Sequence, residues 1–396
     1  MRAGLRNGVK NPKGVVVIGG HINGLGIIRS FRAKGIPVAA ILTKKYDFAQ
    51  YSGCISGSDK AFGLAENPEQ LSEVLERQSP QWDGWALFPA NDEALAALVY
   101  NRSHLESSHA IFAPPEEIAS FFLDKERMHD MARSTGIPMP LCYGSADKSI
   151  LNRQDIGFPV IVKPVTGYRF FEHFGYKVMV AENRDELTRA IARIERAGNR
   201  CQVYDVIPGA DNRIYCCCVY MGRDGAPRAI LTVRKLRQSP PFFGVSRVAE
   251  IVPDNTYMVD ATIELLRRMN FRGIASAEFK LDPRDETFRF LEINGRSVIY
   301  NRLLRQAGMD VAGLTWADFI EHRDDMAQTR HWPGVWINLH ADLLYSMLCR
   351  SHEELRMGDF LSPYLRPKIE AVWSIRDPGP FFIQWARTFR RAIMPH

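Results

Sequence analysis

Val15-Val16-Val17-Ile18 is an unbroken apolar run ending in Gly19-Gly20, the pattern of a strand buried on both faces that runs into a tight turn. Residues 24–31 carry apolar positions at helical spacing, and after Lys34-Gly35-Ile36-Pro37 the run 38–42 predicts a second strand. The chain therefore opens with a βαβ unit. The alternation continues through a helix near 68–77, a strand over 85–89, a helix over 92–101 and a short strand over 110–113, and Pro114-Pro115 is its expected end. One helix over 116–135 follows, stopped by Gly136-Ile137-Pro138.

Beyond that turn the rhythm changes. Short apolar runs predict strands over 160–163, 177–180, 201–207, 214–221, 228–235, 273–281 and 288–294, with helices over 184–196 and 258–269 between them. This is an α+β body joined to an α/β first unit. After about residue 325, scattered Trp332, Trp336, Trp373 and Trp385 mark a C-terminal extension. The expected domains are thus 1–115, 116–325 with a lid at about 137–205, and 326–396. Within the extension, Phe382, Trp385, Phe389 and Ile393 recur at helical spacing beside Arg387, Arg390 and Arg391. Such a helix over 381–394 suits either packing on the body or peripheral contact with an anionic membrane. Asp377-Pro378-Gly379-Pro380 favours packing, because it can fold the segment back.

Composition narrows the class. A chain of 396 residues with 46% hydrophobic and 24% charged residues is ordinary globular material, long enough for two or three cores. No apolar stretch approaches the roughly 20 residues that span a bilayer, and 15–18 is too short for a signal-peptide core, so a cytoplasmic protein is expected. A net charge of +6 suits a phosphate-bearing substrate but is too mild to argue for nucleic acid. Seven cysteines without a CxxC pair fit a reducing compartment. Cys216, Cys217 and Cys218 stand consecutively on a predicted strand, where alternate faces turn neighbouring thiols apart and oppose a shared metal site.

The chemistry-bearing residues collect in the body. Glu278 and Lys280 share one strand face, and fourteen residues on, Glu292 and Asn294 share the face of the neighbouring strand, with Arg296 just beyond. Carboxylate and amide oxygens of this kind suit Mg²⁺; a salt-bridged hairpin facing solvent is the plain alternative. Lys163 ends the apolar run Pro159-Val160-Ile161-Val162, and Lys125 lies just before the expected lid; each offers a point charge to a phosphate. The segment from Val203 to Asp211 is an apolar strand with an acid at each end of a Pro-Gly turn. Asp205 or Asp211 can accept an adenine amino hydrogen while the other binds ribose, with backbone groups of Val206 and Ile207 reading the base edge. Lys235 and Arg237, alternate residues of one strand, can hold an anionic substrate or form a solvated edge. The turn His21-Ile22-Asn23 and the segment Asn91-Asp92 before a helix are pocket candidates, and His21 and Asn91-Asp92 also read as caps.

This ordered set resembles the ATP-grasp superfamily from residue 15 to about 325. More narrowly, Leu87-Phe88-Pro89-Ala90-Asn91-Asp92-Glu93, Glu278-Phe279-Lys280 and the segment from Arg234 to Pro241 look like a bacterial group of ATP-dependent carboligases to which D-aspartate ligase is similar. The resemblance implies an ATP-grasp fold behind a Rossmann-like first domain. It also implies ATP phosphate contacts at Lys125 and Lys163, an adenine hinge at Asp205, Val206, Ile207 and Asp211, and Mg²⁺, with Mn²⁺ able to substitute, at Glu278, Glu292 and Asn294. Arg296, with Lys235 and Lys280, is the implied catalytic group, and His21, Asn91, Asp92 and Arg237 are the substrate candidates. The implied reaction joins a small carboxylate to an amine through an acyl phosphate. Two departures stand out: Asp205 replaces the usual Glu, and residues 165–175 replace the glycine-rich lid loop. The second admits a catalytically weak ATP-binding regulatory protein as an alternative. A dehydrogenase reading rests on Gly19, Gly24 and Gly26, whose spacing is not GxGxxG and which lack a clearly placed ribose-binding acid.

Overall fold

The structure, a computed structural model, describes residues 11–240, 242–348 and 357–393. Five strands form the first sheet: β1 (Val15–Ile18), β2 (Val38–Leu42), β3 (Gly57–Lys60), β4 (Ala86–Pro89) and β5 (Ala110–Ile111). They pair in parallel in the order β3-β2-β1-β4-β5. Every residue of β1, β2 and β4 is buried, as continuous apolar runs require when both faces are covered. The turn after β1 is held by Asp47, whose carboxylate accepts from the backbone nitrogens of Gly20 (2.9 Å), Thr43 (2.9 Å) and Lys44 (3.2 Å). Helix Ile22–Ala33 starts so close to this turn that a Cβ on Gly24 would lie 1.8 Å from the Gly19 carbonyl oxygen. Only glycine fits there.

The expected single helix over 116–135 is two, Glu116–Leu123 and Lys125–Ser134. The break is Asp124, in extended backbone, whose side chain accepts from the Glu126 and Arg127 nitrogens and so caps the second helix. Four strands then form a small antiparallel sheet: β6 (Cys142–Ser145), β7 (Val160–Pro164), β8 (Met179–Ala181) and β9 (Cys201–Asp205), in the order β6-β9-β7-β8. Helix Arg184–Arg196 covers it, and Leu187, Ile191 and Ile194 join Val160, Val162 and Val203 in a core of its own. A lobe with its own core can move as a unit.

The largest sheet has seven strands: β10 (Ile214–Met221), β11 (Pro227–Ser239), β12 (Val245–Val252), β13 (Gly273–Asp282), β14 (Thr287–Asn294), β15 (Val335–Ile337) and β16 (Lys368–Glu370). Their order is β14-β13-β10-β11-β12-β15-β16. Residues beyond 325 thus add two strands to this sheet, and Trp336 and Val372 are buried in the same core as Val15, Phe31 and Phe88. Asp377 fastens the far end of the chain to the first domain, accepting from Arg29 Nε (2.8 Å), Ser52 Oγ (2.7 Å) and the Gly53 nitrogen (2.9 Å).

On β10, Cys216 and Cys218 enter one core and Cys217 the opposite one, the alternation expected of a strand. Burial pushes the Cys217 and Cys218 thiols up to about 12. No helix among the described residues is long and apolar enough to cross a membrane. Helix Gly379–Ile393 packs Trp385 against His340 and Phe381 and sets Arg387 over Tyr51, while Phe382 is exposed. The side chains expected at Phe389, Arg390, Arg391 and Ile393 lie outside the described residues.

Candidate active site

β13 and β14 carry the centre of the site. Their antiparallel register sets Glu278 directly opposite Glu292 and Ser276 opposite Asn294. Lysines from three other elements converge on the two acids. Lys125, the first residue of its helix, reaches Glu292 at 2.9 Å; Lys163, from β7 of the small sheet, reaches it at 3.5 Å; and Lys235, from β11, reaches Glu278 at 2.6 Å. Burial alone would raise the Glu292 carboxyl, but Lys125, Lys163 and Lys177 outweigh it and hold it well below the usual carboxylate range.

The lysines respond unequally. Burial, reinforced by Lys125, lowers Lys163 to about 8. Lys280, which donates to the Ile207 carbonyl at 2.7 Å, is also lowered to about 8 by burial. Lys235 is desolvated too, yet the Glu278 carboxylate raises it. Lys163 and Lys280 therefore sit near the edge of losing their charge, whereas Lys235 does not.

Two cavities flank this cluster. The larger, of ≈ 520 Å³, lies against the first domain and is lined by His21, Asn91, Asp92, Asn294, Arg296 and Tyr168, among others. The smaller, of ≈ 120 Å³, lies between the small sheet and the large one and is lined by Ile161, Lys163, Asp205, Ile207, Lys280 and Leu291, among others. The walls common to both are Lys125, Lys177 and Glu292. Mixed apolar and convergent polar walls are those of ligand cavities.

The sequence candidates sort as follows. Arg296 grips Asp92 through both carboxylate oxygens (2.5 and 3.0 Å) and donates to Asn294 Oδ1 at 3.3 Å, so the first domain is tied to the end of β14. Asn91 caps helix Asp92–Tyr100, accepting from the Ala94 nitrogen at 2.8 Å, and still lines the larger cavity. His21 stands at the cap position of helix Ile22–Ala33 without a side-chain cap bond, its ring against Tyr46 and Phe48. The Asp205 carboxylate already accepts from the Leu141 nitrogen (2.6 Å) and Arg284 (3.2 Å). Val206 is half-buried and contributes to neither cavity wall.

Two further candidates, Asp211 and Arg237, do not reach either cavity. Asp211 accepts from the Gln238 nitrogen (2.8 Å), its Nε2 (3.0 Å) and the Phe242 nitrogen (2.7 Å), which fixes the loop after β11. Arg237 does not share a substrate-facing surface with Lys235. The β11–β12 register slips at Leu236, and Arg237 turns into a buried pair with Asp342 (2.9 and 2.6 Å). A bulge of this kind re-aims a side chain, and residue alternation alone cannot reveal it.

Two residues, His129 and Lys177, were not foreseen from the sequence as site groups. His129 donates from Nε2 to the Leu291 carbonyl (3.0 Å) and sets Nδ1 2.6 Å from the Tyr204 hydroxyl, which itself donates to Gln202 Oε1. Burial, aided by Lys163, lowers it to about 3, so the ring is neutral and its tautomer is set by the carbonyl. Lys177, just before β8, lines both cavities, while Asn23, in the turn already read as a pocket candidate, bridges the Ala90 and Ser297 carbonyls. A helix-spaced histidine and a strand-edge lysine carry no local signal of this; only the tertiary fold brings them here.

Among the described residues no group of three or more His, Cys, Asp or Glu gathers as a metal site. Glu278, Glu292 and Asn294 are two carboxylates and an amide, an oxygen donor set that suits Mg²⁺ when phosphate oxygens complete the shell.

No family model matches the chain. A D-aspartate ligase of Enterococcus faecium is 22% identical over 360 residues, covering 84% of this chain and 85% of that protein. Among solved structures, the ADP complex of an N5-carboxyaminoimidazole ribonucleotide synthetase aligns with a TM-score of 0.65 at 12% identity, over 87% of this chain and 86% of that one. A biotin carboxylase from Campylobacter jejuni in complex with β,γ-ATP gives 0.62 at 16% identity, over 82% and 74%. An L-amino acid ligase from Bacillus licheniformis gives 0.61 at 15% identity, over 78% and 74%.

Proposed function

We propose, from the premise that the chain has the ATP-grasp fold, that it is an ATP-dependent carboxylate–amine ligase. The observation that carries this reading is the meeting of two cavities at one charged wall, Lys125, Lys177 and Glu292. A nucleotide in the smaller cavity, between Ile161, Ile207 and Leu291, would present its terminal phosphate at that wall, and an acid in the larger cavity would meet it there.

In the proposed reaction a carboxylate oxygen bonds to the terminal phosphorus as the bond to ADP breaks. An amine then attacks the carbonyl, loses a proton, and expels phosphate to leave an amide. Lys125 and Lys163 offset phosphate charge, and Arg296, already aimed by Asp92 at the end of β14, stabilises charge on the transferring group. Mg²⁺, held by Glu278, Glu292 and Asn294, would neutralise phosphate oxygens when bound. The backbone and apolar side chain of Ile207 are the proposed adenine contacts. Asp205 acts in this reading as a hinge tie, because its carboxylate is taken by Leu141 and Arg284. The D-aspartate ligase and L-amino acid ligase likenesses support an amino acid as one substrate.

Trapping tests the reading without knowing the amine. Hydroxylamine intercepts an acyl phosphate as a hydroxamate, so a panel of carboxylic acids with ATP and Mg²⁺ should yield hydroxamate and ADP for at least one acid. ATP binding with no acid-dependent ADP formation across the panel would favour the regulatory alternative.

A further inference from the structure

The lid segment 165–175, where a glycine-rich loop is expected, forms helix Gly167–Phe174. In a helix the backbone N–H groups beyond the first turn are spent on internal hydrogen bonds and cannot cradle a phosphate. Tyr168 and Phe171 of this helix line the larger cavity instead. Gly175 ends it in the left-handed conformation (φ 74°), Tyr176 stacks on Phe174, and the next residue, Lys177, enters the junction of the two cavities.

The other lysines of the cluster already have partners: Lys125 and Lys163 on Glu292, Lys235 on Glu278 and Lys280 on the Ile207 carbonyl. Lys177 is exposed and makes no hydrogen bond or ion pair with a described residue. Of the three walls common to both cavities, it is the cation whose charge acts on Glu292 without a direct contact.

We infer that Lys177 is the lid's ligand for the terminal phosphoryl group, replacing the backbone donors that the helix withdraws and following that group from the nucleotide to the carboxylate. The inference rests on the proposed nucleotide site. It predicts that the side chain distinguishes a triphosphate from a diphosphate, since only the former extends to the junction.

The test is calorimetric titration of the full chain with Mg²⁺ and either ADP or the non-hydrolysable triphosphate AMP-PNP. In Lys177→Met the AMP-PNP affinity should fall about 10- to 100-fold, as loss of one charge-assisted hydrogen bond implies, while ADP affinity stays within about two-fold. Lys177→Arg should recover most of the loss. Retained ADP binding also reports that the variant is folded. Equal loss for both nucleotides, or no loss for either, overturns the role of Lys177. Failure of the wild-type chain to bind ADP at all overturns the nucleotide site itself, which is a distinguishable result.

Discussion

Replacing Glu292 by Gln keeps the shape of the side chain and removes the charge on which the lysine cluster rests. In the folded chain that carboxylate faces ammonium groups at 2.9 and 3.5 Å. At an effective dielectric of about 20, each contact of this length carries roughly 5 kcal/mol of attraction before desolvation is subtracted. Removing one member of a fully buried pair costs about 3–5 kcal/mol. The Glu292 side chain is 23% exposed, which lowers the expectation to about 2–3 kcal/mol near neutral pH. Because most of that cost is unbalanced positive charge, the double variant Lys125→Met/Glu292→Gln should be more stable than Glu292→Gln alone, by about 1 kcal/mol. The gap between wild type and Glu292→Gln should also depend on pH with a defined sign. A depressed folded pKa gives stability that is present above the unfolded carboxylate value and is lost as pH falls through the folded one. The gap should therefore narrow in acid, and narrow again above about 8 as Lys163 loses its proton. Urea unfolding followed by both tryptophan fluorescence and circular dichroism measures it, with coincidence of the two probes as the check on two-state behaviour. A single variant within about 0.5 kcal/mol of wild type, or a double variant less stable than the single, would refute the reasoning.

Other consequences are as specific. Affinity for Mg²⁺ and ADP should be flat below about pH 8 and fall above it, as Lys163 and Lys280 lose charge, with proton uptake on binding in that range; calorimetry in buffers of different ionisation enthalpy reads the uptake, and pH-independent affinity up to pH 10 would contradict it. Asp377→Ala should destabilise the chain by about 3 kcal/mol or more, because it strands the Arg29 guanidinium, and Asp377→Asn by less. A loss under about 1 kcal/mol in thermal and urea unfolding would mean that the C-terminal segment is not anchored through this residue.

What the sequence made legible is what strand periodicity can carry. The apolar runs of β1 and β2 need no tertiary knowledge, and the pairing of Glu278 with Glu292 followed from two strands and a turn. Lys163 was placed by the buried strand it ends. Other elements were hidden for physical reasons. β3 is Gly-Ser-Asp-Lys, a polar edge strand without an apolar face. β12 buries Ser246, Arg247 and Glu250 among its apolar residues, so its polar positions do not mark a solvent side. Asp124 breaks a continuous helical pattern by capping, and the slip at Leu236 turns Arg237 away from Lys235. Asp205 and Asp211 stood where acids were expected, but turn and loop nitrogens had first claim on their carboxylates. His129 owes its place to helix Lys125–Ser134 packing on β14, and Lys177 to the small sheet facing the same strand, contacts that no local pattern encodes.

The central claim is that a carboxylate oxygen is phosphorylated before the amide forms, and isotope transfer tests it most directly. An acid selected by hydroxamate trapping, labelled with ¹⁸O in its carboxylate, is incubated with ATP, Mg²⁺, the amine and the protein, and the released phosphate is weighed by mass spectrometry. The account predicts one ¹⁸O in each phosphate released, because the oxygen that attacked phosphorus leaves with it when the amine displaces the acyl phosphate. Unlabelled phosphate formed in step with amide would contradict it.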